Sequence, residues 1–187
     1  MSSPPTYGAP ELIVREHIQD RLAPQTLQWI ERCLGRIYPI LGCPPDSEAC
    51  VVITDDKEIQ ELNLTWRALD EPTDVLSFAY QEADDAVLIP QLLGDVILSI
   101  DTAARYAQDA QHAERIGQNN EAISPWTLQH ELTFLIAHGF LHLLGFDHIE
   151  AEDEAIMRPL EQEVFQDLIA STPPTPRTTR LQPPAAR

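Results

Sequence analysis

The stretch that decides the reading is His138-Gly-Phe-Leu-His142-Leu-Leu-Gly145-Phe-Asp-His148, residues 138–148. His138 and His142 are four apart, so on a helix both imidazoles leave the same face, one turn apart. Two nitrogens so placed suit bonds of about 2.0–2.1 Å to a single Zn²⁺. Gly145 falls where that helix must stop, because glycine adopts the left-handed conformation of a C-terminal cap. The chain then turns back and aims His148 at the same point. Three neutral nitrogens in a tripod leave the fourth tetrahedral position to water, the arrangement of a catalytic rather than a structural zinc. One such ion per chain is expected, on His138, His142 and His148.

The same offsets of histidine and glycine occur in the H-E-x-x-H-x-x-G-x-x-H pattern of the metzincin metalloproteases, where the Glu activates water. Here that position is Gly139, so a zinc peptidase is the weakest of the readings. Asp147 is placed either to orient a ligand imidazole or to cap the backbone of the turn. His112 and His130 fall outside the pattern and read as solvent-facing.

Outward from this helix the chain alternates in period. Leu12–Val14, Ala49–Thr54, Asp74–Ala79 and Leu93–Ile100 read as four short strands. Pro24 opens a helix whose Leu27, Ile30, Leu34, Ile37 and Leu41 recur at helical spacing, and Pro44-Pro45 closes that region. Asp55 caps a second helix with Glu58 three residues on, and Ile59, Leu62 and Leu64 or Trp66 on its inner side. Further helices are expected over Thr102–Ala113 behind Asp101, from Pro125 to about Leu144, and over Ala151–Ile169. Four strands and about five helices, partly interleaved, predict one α/β (α+β) layered domain over residues 11–170. Residues 1–10 read as a flexible N-terminus. Residues 171–187, rich in proline and without an acid, read as a disordered, mildly basic tail.

The whole chain, 187 residues, carries 12 basic and 30 acidic side chains and a formal net charge of −18. Such a surface repels phosphate backbones on average, so nucleic-acid binding driven by global charge is excluded. No apolar run approaches the roughly 20 residues of a membrane helix, and the N-terminus has no signal-peptide pattern. The cysteines, Cys33, Cys43 and Cys50, lack C-x-x-C spacing and read as reduced thiols of a cytoplasmic protein.

Three blocks, in order, resemble the YbeY family of bacterial zinc-dependent endoribonucleases that mature ribosomal RNA. HGFLHLLGFDH (138–148) resembles H-G-x-L-H-L-x-G-Y-D-H, ELNLTWRALDEPTDVLSF (61–78) resembles E-L-N-x-x-x-R-x-x-D-x-P-T-D-V-L-S-F, and LGDVILS (93–99) resembles L-G-D-I-x-I-S. The resemblance implies a small mixed sheet and a central helix bearing the first two zinc ligands. It implies a single-strand-specific RNA hydrolase acting near the 3′ end of small-subunit ribosomal RNA and in ribosome quality control. The small ribosomal subunit, with a basic ribosomal protein or an assembly GTPase, would be the partner; neither DNA nor a membrane would be.

By motif match His138, His142 and His148 are the zinc ligands and Arg67 the functional arginine. Alone, Arg67 would read as a surface ion-pair residue of Glu61 or Glu71. A guanidinium fork does suit the charge that builds on phosphoryl oxygens during phosphodiester cleavage. Pro72, Thr73 and Asp74 are expected to shape the cleft. Phe146 departs from the family's tyrosine and removes a hydroxyl. The alternative function is a ribosome-assembly factor with a structural zinc and no hydrolysis.

Overall fold

Residues 5–80, 91–109 and 125–184 are described by the computed structural model. Strands β1 (Glu11–Val14), β2 (Glu48–Thr54), β3 (Val75–Ala79) and β4 (Leu92–Ser99) form one sheet in the order β1-β2-β4-β3. β1, β2 and β4 run parallel, and β3 lies antiparallel beside β4 at the edge. Around the sheet stand α1 (Pro24–Leu41), α2 (Asp56–Arg67), α3 (Ile100–Gln108), α4 (Leu128–Leu143), α5 (Ala151–Ile169) and a short 3-10 helix, Glu16–Arg21. The expected α/β domain with a mixed four-stranded sheet is the observed fold.

Successive strand residues point to opposite faces, and the sequence obeys this. Val51, Ile53, Val96 and Leu98 face the larger core, which α1, α4 and α5 share. Val52, Ile97 and Leu76 face a thinner layer closed by Ile59 of α2. The apolar stripe of α1, from Leu27 to Leu41, joins the larger core as its spacing predicts. α4 is the central element: from Glu131 to Leu144 every residue is buried except His138 and His142. Beyond its first turn, the helix opens to solvent only at these two histidines.

Several local expectations need correction. α3 starts at Ile100 rather than behind Asp101, because the buried Ser99 hydroxyl accepts the Thr102 N–H and caps it; its expected end, with His112, lies outside the described residues. α4 starts at Leu128, where Thr127 and His130 form a reciprocal capping box. His130 is therefore not solvent-facing: it is half-buried, edge-on to Trp29 and tilted against Trp126, and burial lowers its pKa. On α2 the inner side is Ile59, Leu62 and Asn63, whereas Leu64 and Trp66 are exposed, at 48% and 67%.

The terminal segments are tied down where they are described. Tyr7 packs on the core and the Gly8 N–H donates to Pro45 O. The tail, 171–184, lies along the end of α1 rather than free of it. Arg177 donates its backbone N–H to Pro39 O at 3.0 Å and its Nε to Ile40 O at 2.6 Å; the Leu181 N–H reaches Leu41 O at 2.9 Å. A helix end leaves its last carbonyls short of partners inside the helix, and here the tail supplies donors. Composition weighs only the tail's own apolar surface, so it missed acceptors offered by another element. Gly42, at φ 69°, makes room: a Cβ there would stand 2.2 Å from Thr179 O.

Candidate metal centre

The histidines converge for the reasons their spacing gives. His138 Nε2 lies 3.0 Å from His142 Nε2. The chain then stops in a Schellman turn: the Gly145 N–H donates to His142 O at 2.8 Å and the Phe146 N–H to Leu141 O at 3.0 Å. Gly145 takes φ 87°, the left-handed conformation that disfavours any residue with a Cβ. The Phe146 ring is buried and anchors the turn. His148 is thereby returned to the pair, its ring centroid 5.1 Å from each of the other two.

One ligand atom from each histidine lies within 4.8 Å of the others. Tetrahedral bonds of about 2.0–2.1 Å place ligand nitrogens roughly 3.3 Å apart, so small side-chain rotations bring these three onto one ion. The protonation chemistry also fits. Burial, with the neighbouring His138 and His148, pulls the His142 pKa down to about 4, so its ring is neutral at pH 7, the form that binds a metal. His138 Nδ1 lies 2.6 Å from Glu161 Oε1, with the two side chains 18% and 12% exposed. A carboxylate accepts and does not donate, so Nδ1 carries the proton and Nε2 keeps its lone pair toward the cluster.

Glu161 is the residue that sequence reasoning missed. It sits on the inward stripe of α5 with Met157, Val164, Phe165 and Leu168, and a carboxylate interrupting such a stripe was the available signal. Asp147, by contrast, accepts the His148 N–H at 2.7 Å and braces the turn. Gly139 faces away from the cluster. A Cβ there would come within 2.5 Å of Val96 Cγ1 and 3.1 Å of Ser77 Oγ, so the helix packs tightly on the sheet at that position. A glutamate base of the metzincin kind has no space there.

A cleft of about 560 Å³ opens over the histidines, lined also by Arg67, Thr73, Asp74, Ser77 and Ala79. Arg67 ends α2 beside Ala68, which takes φ 58°. The loop that follows is stapled by Asn63, whose Nδ2 donates to Glu71 O at 2.9 Å. Asp74 Oδ1 then accepts the Thr73 hydroxyl and the Val75 N–H, which sets Thr73 and Asp74 at the cleft. Arg67 forms no ion pair or hydrogen bond among the described residues. Other arginines are taken up: Arg15 by Glu58, Arg21 by Asp101 and Arg105 by Asp56.

Fold and site together define an α/β protein with a three-histidine cluster able to hold a metal ion, in a cleft that Arg67 also lines. The family model described as endoribonuclease YbeY matches residues 14–169. A relative named endoribonuclease YbeY from Syntrophotalea carbinolica is 41% identical over 153 residues, covering 80% of this chain and 92% of its own. Another of that name, from Synechococcus elongatus, is 39% identical over 184 residues, covering 94% and 97%. The chain belongs to the YbeY family.

Proposed function

We propose that this protein is a zinc-dependent endoribonuclease that cuts single-stranded RNA in ribosomal RNA maturation, at the 3′ end of small-subunit RNA, and in ribosome quality control. The observation that carries the reading is one cleft holding three ring nitrogens and Arg67, which has no partner among the described residues. A bound zinc ion would polarise a phosphate and lower the pKa of a water toward about 7. Arg67 would grip the phosphoryl oxygens with its fork and offset the charge gained in the transition state. Glu161 would hold the His138 proton at Nδ1. Thr73 and Asp74 would set the width of the cleft. No helix among the described residues is long and apolar enough to cross a membrane, which accords with a cytoplasmic site of action.

The charge of −18 shapes how the enzyme works. Naked RNA binds weakly, and the small ribosomal subunit, with a basic protein or an assembly GTPase, positions the substrate. Labelled single-stranded RNA incubated with wild type and with His142→Ala, purified side by side, tests the reading. Cleavage lost in a folded, zinc-poor variant supports it. Equal cleavage by both preparations, or intact small subunits bound but never cut, would place the protein among assembly factors instead.

A further inference from the structure

Trp66 is 67% exposed, the most exposed aromatic side chain among the large exposed hydrophobics of the described residues. Its ring forms a T-shaped pair with Phe78 at 5.7 Å between centroids while most of the side chain stays open to solvent. Phe78 belongs to β3, whose neighbouring residues Ser77 and Ala79 line the metal cleft on the opposite face of the sheet. β3 is the edge strand and pairs only with β4 among the described residues. Trp66 therefore packs on the face of edge strand β3 opposite the histidine cleft, and next in sequence is Arg67, which lines that cleft and has no hydrogen bond or ion pair among the described residues.

We infer that Trp66 is a base-stacking platform for the single-stranded RNA substrate, taking a nucleobase next to the phosphate held by Arg67. The inference rests on the endoribonuclease reading and supplies what that reading lacks. With a net charge of −18 the protein cannot hold RNA by general attraction. Stacking is neutral, tolerates any base because every base has a π-face, and suits unpaired strands whose bases are free. A nucleotide joins a phosphate to a base, and Arg67 beside Trp66 offers a partner for each. An apolar contact for a protein partner would use the same exposed ring without needing its flat face or Arg67.

The test measures binding of a fluorescein-labelled 12-mer oligoadenylate to the zinc-loaded full chain by anisotropy, with tryptophan fluorescence followed in the same titration. Wild type, Trp66→Phe and Trp66→Ala are compared, each with its melting temperature and zinc content. Trp66→Ala is expected to weaken binding by roughly 5- to 150-fold at unchanged melting temperature. Trp66→Phe is expected to stay within about threefold of wild type while abolishing most of the quenching. Wild type that binds or cuts RNA while Trp66→Ala binds equally well overturns the platform and leaves the nuclease standing. So does equal loss in both variants with a lowered melting temperature, since Trp66 would then be structural. Wild type that cuts small ribosomal subunits but shows no binding of the oligoadenylate overturns the platform alone, and wild type that binds no oligoadenylate and cuts neither RNA nor small subunits overturns the nuclease and the platform together.

Discussion

Removing the Glu161 carboxylate should weaken metal binding without unfolding the protein. The bond to His138 Nδ1 is 2.6 Å long between side chains that are 12% and 18% exposed, so little water is available to replace it. A hydrogen bond to a charged partner contributes about 1.5–3 kcal/mol, and partners that orient a ligand imidazole typically account for about 10- to 100-fold in metal affinity. Glu161→Ala is therefore expected to raise the zinc dissociation constant by roughly 10- to 100-fold. Glu161→Gln keeps an acceptor for the Nδ1 proton and should lose less than about tenfold. The assay is competition for zinc against a chromophoric chelator, with circular dichroism to confirm the fold. A Glu161→Ala protein that is folded and binds zinc within about twofold of wild type would refute the positioning argument.

Other consequences are equally concrete. Gly139→Ala forces α4 away from Val96, whose Cγ1 is 2.5 Å from the new methyl, and should cost about 1–3 kcal/mol in urea unfolding; unchanged stability would contradict the packing. Deleting residues 171–187 removes the donors from Arg177 and Leu181 to the end of α1. A fall in melting temperature of roughly 2–10 °C is expected, whereas no change would mean the tail contributes nothing. In the metal-free protein His142 titrates near 4 when folded and near 6.5 when unfolded, so the unfolded chain binds more protons between those values. Stability is then full above about pH 6.5 and falls by at most roughly 3 kcal/mol on acidification to pH 4. His142→Ala should lose that part of the slope, and an unaltered slope would refute the assignment.

What was legible in the sequence followed from local rules. The strands are short, largely apolar runs, α1 keeps its apolar spacing, and Asp55 caps α2 by accepting the Glu58 N–H at 2.9 Å. The three histidines and their glycine stop could be placed because every step between them is local: helix period, then cap, then turn. Glu161 and the path of the tail were not legible, because each depends on which distant surface it meets. His138 and Glu161 are 23 residues apart, and Arg177 meets Ile40 across 137. Periodicity also failed on α2, where Leu64 or Trp66 was expected inside and both are exposed. Four large apolar side chains, Ile59, Leu62, Leu64 and Trp66, compete for a thin layer, and Ile59 and Leu62 fill it. Arg67 was named through its block, but that it has no partner among the described residues required the positions of the surrounding acids.

The central claim, that three histidines hold one ion on which RNA cleavage depends, is tested most directly by reloading. Protein stripped with a chelator is titrated with zinc while bound metal and cleavage of labelled single-stranded RNA are measured on the same samples. The account predicts that cleavage is absent at the start, rises in proportion to occupancy and levels off at one ion per chain. Cleavage that persists in the stripped protein, or a fully loaded centre that leaves both RNA and small ribosomal subunits uncut, would contradict it.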